Sequence, residues 1–174
     1  MKTGLRFLYV LLLVFALTSA CAQKTYILIP QKTGKVNIKL ASELPVSLKA
    51  LAAFYSAMGG TGCMDEECAL TTALGLGKQG SEAQKKMIQK YFPGDKVATL
   101  VVGQDCFLPP NNSPSYSNFQ NLEFFASGEN IQVNYQLAVY DHGKTHVIHG
   151  PDIYQFKNQV FKIKKRVLYA WADK

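Results

Sequence analysis

The residues best suited to chemistry sit near the C-terminal end, where His142, His146 and His149 fall on one hairpin and Asp152 follows closely. An imidazole beside a carboxylate can move protons near neutral pH, which makes His149 and Asp152 the candidate base and acid of this chain. Gly150-Pro151 bends the chain between them. A metal ion would need side chains converging on one point, but on a strand His146 and His149 project to opposite faces and His142 belongs to a turn. No metal and no cofactor are expected.

Beyond residue 22 the cysteines are Cys63, Cys68 and Cys106, an odd number. Cys63 and Cys68 are close enough in the chain for a short-loop disulfide, with Cys68 to Cys106 as the rival pairing. A nucleophilic thiol wants a positive neighbour, whereas Asp65, Glu66 and Glu67 lie beside the first pair and Asp105 precedes Cys106. Negative charge raises a thiol pKa, so reactivity is not expected of any of them. Gly75-Leu76-Gly77-Lys78-Gln79-Gly80 matches the spacing of a dinucleotide fingerprint, but that motif works between a strand and a helix. Here a helical pattern precedes it, so the glycines read as helix breakers. Tyr135, Tyr154, Tyr169 and Trp171 combine large apolar bodies with polar tips, the side chains that line small-molecule pockets, and they are the candidate ligand-binding residues.

These residues need elements to hold them. From Ile131 to Val139 the apolar residues Ile131, Val133, Tyr135, Leu137 and Val139 alternate with polar or small ones, the signature of a strand with one buried face. Asp141 to Lys144 supplies a turn, Thr145 to His149 a second strand, and Asp152 to Phe156 a third. A further strand follows Lys157-Asn158-Gln159, with Phe161, Ile163, Val167, Tyr169 and Trp171 on one face and Lys162, Lys164 and Arg166 in solvent on the other. Upstream, Phe119 to Ala126 and Val97 to Val102 also read as strands. Three helices precede them. The first spans Leu44 to Met58, apolar nearly all round; the second follows Cys63 and closes at Gly75 and Gly77; the third starts at Ser81, with Gln84 in capping-box spacing, and stops at Pro93-Gly94. Residues 23–43 form an extension or a short hairpin, with Thr25 to Ile29 and Val36 to Leu40 as its arms. One α+β domain over 44–174 is expected, about three N-terminal helices packed on a curved antiparallel sheet.

Lys2 and Arg6, an apolar run from Phe7 to Leu17, and small residues through Ala22 read as a secretory signal over 1–22, too short to span a bilayer. Ala20-Cys21-Ala22 fits a cleavage site, making the chain secreted or periplasmic. Cys21 also permits a lipoprotein reading, in which membrane attachment runs through lipid on Cys21. Without residues 1–22 the chain carries 17 Lys+Arg against 12 Asp+Glu, with the excess at its two ends. An exported chain seldom meets nucleic acid, and strand lysines are solvated faces that also discourage aggregation. Nucleic acid is therefore not an expected partner.

Three helices followed by long tyrosine-rich strands such as Val133 to Leu137 and Asp152 to Phe156 resemble the nuclear transport factor 2-like (SnoaL-like) cone fold. A cystatin-like helix-on-sheet arrangement is the alternative. The first resemblance implies a cavity between helices and concave sheet. On that basis the expected function is a non-catalytic binding module for a small apolar or amphipathic ligand. The alternatives are an assembly subunit, meeting a second copy or an envelope protein through the outer sheet face at Gln132, Asn134, Gln136 and Tyr140, and a proton-transfer lyase, isomerase or hydrolase using His149 and Asp152.

Overall fold

The computed structural model describes residues 22–58, 65–77, 80–103, 116–141 and 144–167. Residues 1–21, and so nearly all of the expected signal segment, lie outside these residues, as do Cys63, Cys106, Tyr169 and Trp171 and the side chains of Cys68 and Tyr140, so the disulfide expectation falls outside them too.

Strand β1 (Lys24–Ile29) opens the described fold, and helices α1 (Ile38–Glu43), α2 (Val46–Met58), α3 (Asp65–Ala73), α4 (Glu82–Tyr91) and α5 (Lys96–Gly103) follow. Strands β2 (Tyr116–Ser127), β3 (Asn130–Asp141), β4 (Lys144–His149), β5 (Asp152–Lys157) and β6 (Val160–Lys165) complete it. The fold is α+β, helices on one curved antiparallel sheet. Strand order is β1-β2-β3-β5-β6, with β4 also paired to β3. The long β3 makes this branching possible. Its first residues, Asn130 to Val133, pair with β5, while Gln136 to Asp141 pair with β4, so two strands share one edge in succession.

Helix α2 forms the centre because Leu48, Ala50, Leu51, Phe54, Tyr55 and Met58 are all buried, together with Ala52 and Ala53. It meets the sheet through Tyr55, whose ring lies 5.6 to 6.3 Å from those of Phe119, Phe124, Tyr135 and Tyr154. Phe54 stacks on Phe92 at 4.7 Å, and Phe92 on Phe161 at 4.9 Å, which carries the core on to β6. Burying one such side chain contributes about 1.5–3 kcal/mol. Ile131, Val133, Tyr135, Leu137 and Val139 face this core, as their alternation requires. The even positions Gln132, Asn134 and Gln136 face away from the helices.

Ser81 caps α4 by accepting from the Gln84 N–H at 3.2 Å. The Gln84 side chain is wholly buried, accepting from the Gly80 N–H at 2.7 Å and donating to the Ala53 carbonyl at 2.9 Å. Gln84 thus ties α4 to α2.

Four expectations are corrected. Val97 to Val102 is helix α5, not a strand: the Asp95 carboxylate accepts from the N–H groups of Val97 and Ala98, and Val97, Ala98 and Val101 form one buried helical face. Val36 to Leu40 is not a hairpin arm, because Asn37 accepts from the Leu40 N–H at 3.1 Å and starts α1. β1 pairs instead with β2, and Leu28 and Ile29 enter the core, so this segment is part of the sheet. Ile163 does not share the burial of Phe161; it is 39% exposed near the edge of the sheet. Arg166 does not share a solvent face with Lys162 and Lys164, because β6 ends at Lys165 and the Arg166 side chain, 5% exposed, turns inward.

Candidate functional site

Asp152 heads β5 and is fully buried. Three donors meet it. Tyr55 Oη, from α2, reaches Oδ2 at 2.5 Å; Tyr135 Oη, from β3, reaches Oδ1 at 3.1 Å; and the Val167 N–H, just past β6, reaches Oδ1 at 2.6 Å. Tyr55 Oη also lies 3.0 Å from Tyr154 Oη. A phenol has one proton, and that of Tyr55 goes to Asp152, so Tyr154 donates to Tyr55. Tyr154 in turn accepts from Arg166 Nε at 3.3 Å. Arg166 places its two terminal nitrogens on the Asp95 oxygens at 3.1 and 2.9 Å, a forked pair that adds geometric specificity. Its guanidinium carbon sits 4.8 Å from the Phe54 ring centre and 5.6 Å from that of Tyr154.

The electrostatics make this network a fixed object. Burial pushes the Tyr55 phenol well above its ordinary pKa, and the neighbouring Tyr154 and Asp152 push the same way. Tyr154 is pushed up to about 12, chiefly by burial, with Arg166 opposing and Asp152 adding. Burial alone would lower the Arg166 pKa, but its hydrogen bonds to Asp95 and the charges of Tyr154 and Asp95 outweigh that and raise it. Both phenols therefore stay protonated at neutral pH and can donate hydrogen bonds but not act as bases. Tyr55, Asp152 and Tyr154 are all shut off from solvent.

His149 pairs with Gln136 and is exposed on the outer face, whereas Asp152 pairs with Val133 on the core face. The structure does not bring these two together. His146 pairs with Val139, and so lies on the face opposite His149. Tyr135 and Tyr154 both flank Tyr55 inside the core, their ring centres 5.6 and 6.3 Å from its own. Leu51 and Phe54, which would bound an interior cavity, are buried beside them.

An accessible concavity lies elsewhere. A groove of about 420 Å³ is lined by Gln31, Lys32, Thr33, Gly34, Asn118, Phe119, Gln120 and Gln136. The turn after β1 forms one wall, held by Thr33 and Gly34 N–H groups on the Pro30 carbonyl, and Gln31 Nε2 donates to Gln136 Oε1 at 3.1 Å across to β3. The register shift between Phe119 and Asn121 sets Gln120 out as the extra residue of a bulge. The Oδ1 atoms of Asn118 and of neighbouring Asn121 are buried and accept no hydrogen bond. Leaving such an acceptor unsatisfied costs about 1–3 kcal/mol. Sequence reasoning missed this groove, although Asn118, Gln120 and Asn121 place three amides in four residues.

No protein-family model matches the chain, and no curated protein or solved structure does.

Proposed function

We infer that this protein is an exported, non-catalytic binding module whose ligand sits in the groove between the 30–34 turn, β2 and β3. The observation that carries the reading is the pair of buried, unsatisfied acceptors on Asn118 and Asn121 in and beside that groove. Native structures keep few such groups and each calls for an explanation, of which a partner that completes the site is one. The separation of His149 from Asp152 supports binding over proton transfer. The contacts of Tyr55 with Tyr135 and with Tyr154 support a site on the outer face over one between helices and sheet.

The test is a backbone amide NMR titration of the purified protein against a panel of neutral sugars, short peptides, nucleosides and fatty acids. Saturable shifts clustered at residues 31–34, 118–120 and 136 are expected from at least one class. Shifts centred on Tyr55 and Tyr154, or none at the groove with any class, would overturn the reading.

A further inference from the structure

We propose that the groove takes a neutral saccharide. This rests on the reading of the groove as the binding site and adds the chemical class.

The lining decides the class. Gln31, Asn118, Gln120 and Gln136 line the groove with amides, the Gln31 donor and Gln136 acceptor already sharing one bond and keeping one proton and one lone pair free of it, and Thr33 adds a hydroxyl. A ligand that matches them must donate and accept over short distances from many points, which is what a row of sugar hydroxyls does. Lys32 is the one ionisable side chain among the described lining residues. With no second cation and no arginine fork, the groove lacks what holds a phosphate or carboxylate firmly. An apolar ligand fits worse still, since it would strip water from these amides without replacing it.

A peptide strand is the nearest competitor, because β2 extends past the end of β1: pairing between them starts at Leu122, leaving Tyr116 to Asn121 without β1 beside them. The bulge at Gln120 interrupts that stretch, so an added strand finds no regular ladder. Side-chain recognition remains, and it is amide recognition. Asn118 supplies the specific demand. Its Oδ1 is buried without a donor while the residue as a whole is half-buried, so a ligand reaches that oxygen only if the amide turns about its broad χ2. A hydroxyl proton satisfies it.

Calorimetric titration of the purified protein with maltotriose, cellotriose and fully N-acetylated chitotriose tests this, with glucose 6-phosphate and triglycine as competitors in class. At least one neutral trisaccharide is expected to bind saturably, with the two competitors at least ten-fold weaker. Gln120→Ala and Gln136→Ala should each weaken binding ten-fold or more while leaving the melting temperature within a few degrees of the parent. Asn118→Leu should abolish binding and raise the melting temperature of the free protein, because it removes the unsatisfied acceptor. The proposal falls if triglycine or the phosphosugar binds better, or if all three variants bind the sugar as the parent does. Groove binding of a non-sugar would overturn the saccharide alone; a groove silent to every compound would overturn the site as well.

Discussion

Tyr154 takes a hydrogen bond from Arg166 and gives one to Tyr55, so its single proton is committed to a chain that ends on Asp152. That commitment has a pH signature. In the unfolded chain a tyrosine ionises near 10.0, whereas in the fold Tyr154 holds its proton to about 12. Between those values the folded state binds more protons than the unfolded one, so stability is intact below 10 and falls as pH rises through the window. Tyr55, also raised, adds to the same fall. Urea midpoints measured across the alkaline range should be flat to about pH 9 and then decline. Tyr154→Phe should cost about 1–3 kcal/mol at neutral pH, since Arg166 Nε loses its acceptor, and should make the alkaline decline shallower. A variant whose decline matches the parent's would show that Tyr154 does not hold its proton in the fold.

The elements differ in how far the sequence betrays them. β3 was legible because five alternating apolar residues leave no other periodicity, and α4 because Ser81 and Gln84 have a capping spacing that the structure uses. α5 was not legible from its apolar run: Lys96 to Gly103 is short and valine-rich, and β-branched residues favour strands until a cap and a buried face outweigh them. Asp95, just ahead, was the available signal. The inward turn of Arg166 was hidden, since alternation holds only while a strand lasts and β6 stops one residue earlier. The groove was hidden for another reason, because it joins residues 31–34 to 118–120 and 136 through pairing that no local pattern encodes. The β5 to β6 hairpin offers a test at this scale. Its turn puts Asn158 at φ 52° and Gln159 at φ 62°, the left-handed region in which Asn is tolerated and Gln is strained. Gln159→Gly should stabilise the fold by up to about 1 kcal/mol, the relief of the Cβ clash exceeding the extra entropy glycine loses. Thermal melts would read this as a rise of several degrees, and a fall would mean the turn is not left-handed at that position.

Among the described residues, helices and sheet are joined by apolar packing, by the hydrogen bonds of Tyr55 to Asp152 and Tyr154, and by the buried ion pair of Asp95 with Arg166. Asp95 is the cap of α5, and Arg166 is the first residue past β6, so their forked bond fixes the end of the sheet against the helical layer. Asp152 holds the next residue, Val167, through its N–H. Both partners are nearly excluded from solvent, with side-chain exposures of 5% for Arg166 and 8% for Asp95. Breaking such a pair leaves an uncompensated buried charge, which costs about 3–5 kcal/mol. Arg166→Met keeps an unbranched apolar stem and removes the guanidinium that sits over Phe54 and Tyr154, so the whole of that loss should appear in its unfolding free energy. Asp95→Asn should cost at least as much: its amide oxygen can still cap Val97 and Ala98, but the buried Arg166 charge is stranded and a guanidinium cannot shed its proton. The double variant leaves neither charge stranded and should be more stable than the sum of the single losses implies, by at least about 1 kcal/mol. Arg166→Lys should fall between parent and Arg166→Met, because an ammonium cannot make the fork. Additive losses in the cycle would mean that Arg166 and Asp95 do not act as a pair, and that packing and the hydrogen bonds of Asp152 to Tyr55 and Val167 hold the end of the sheet to the helices.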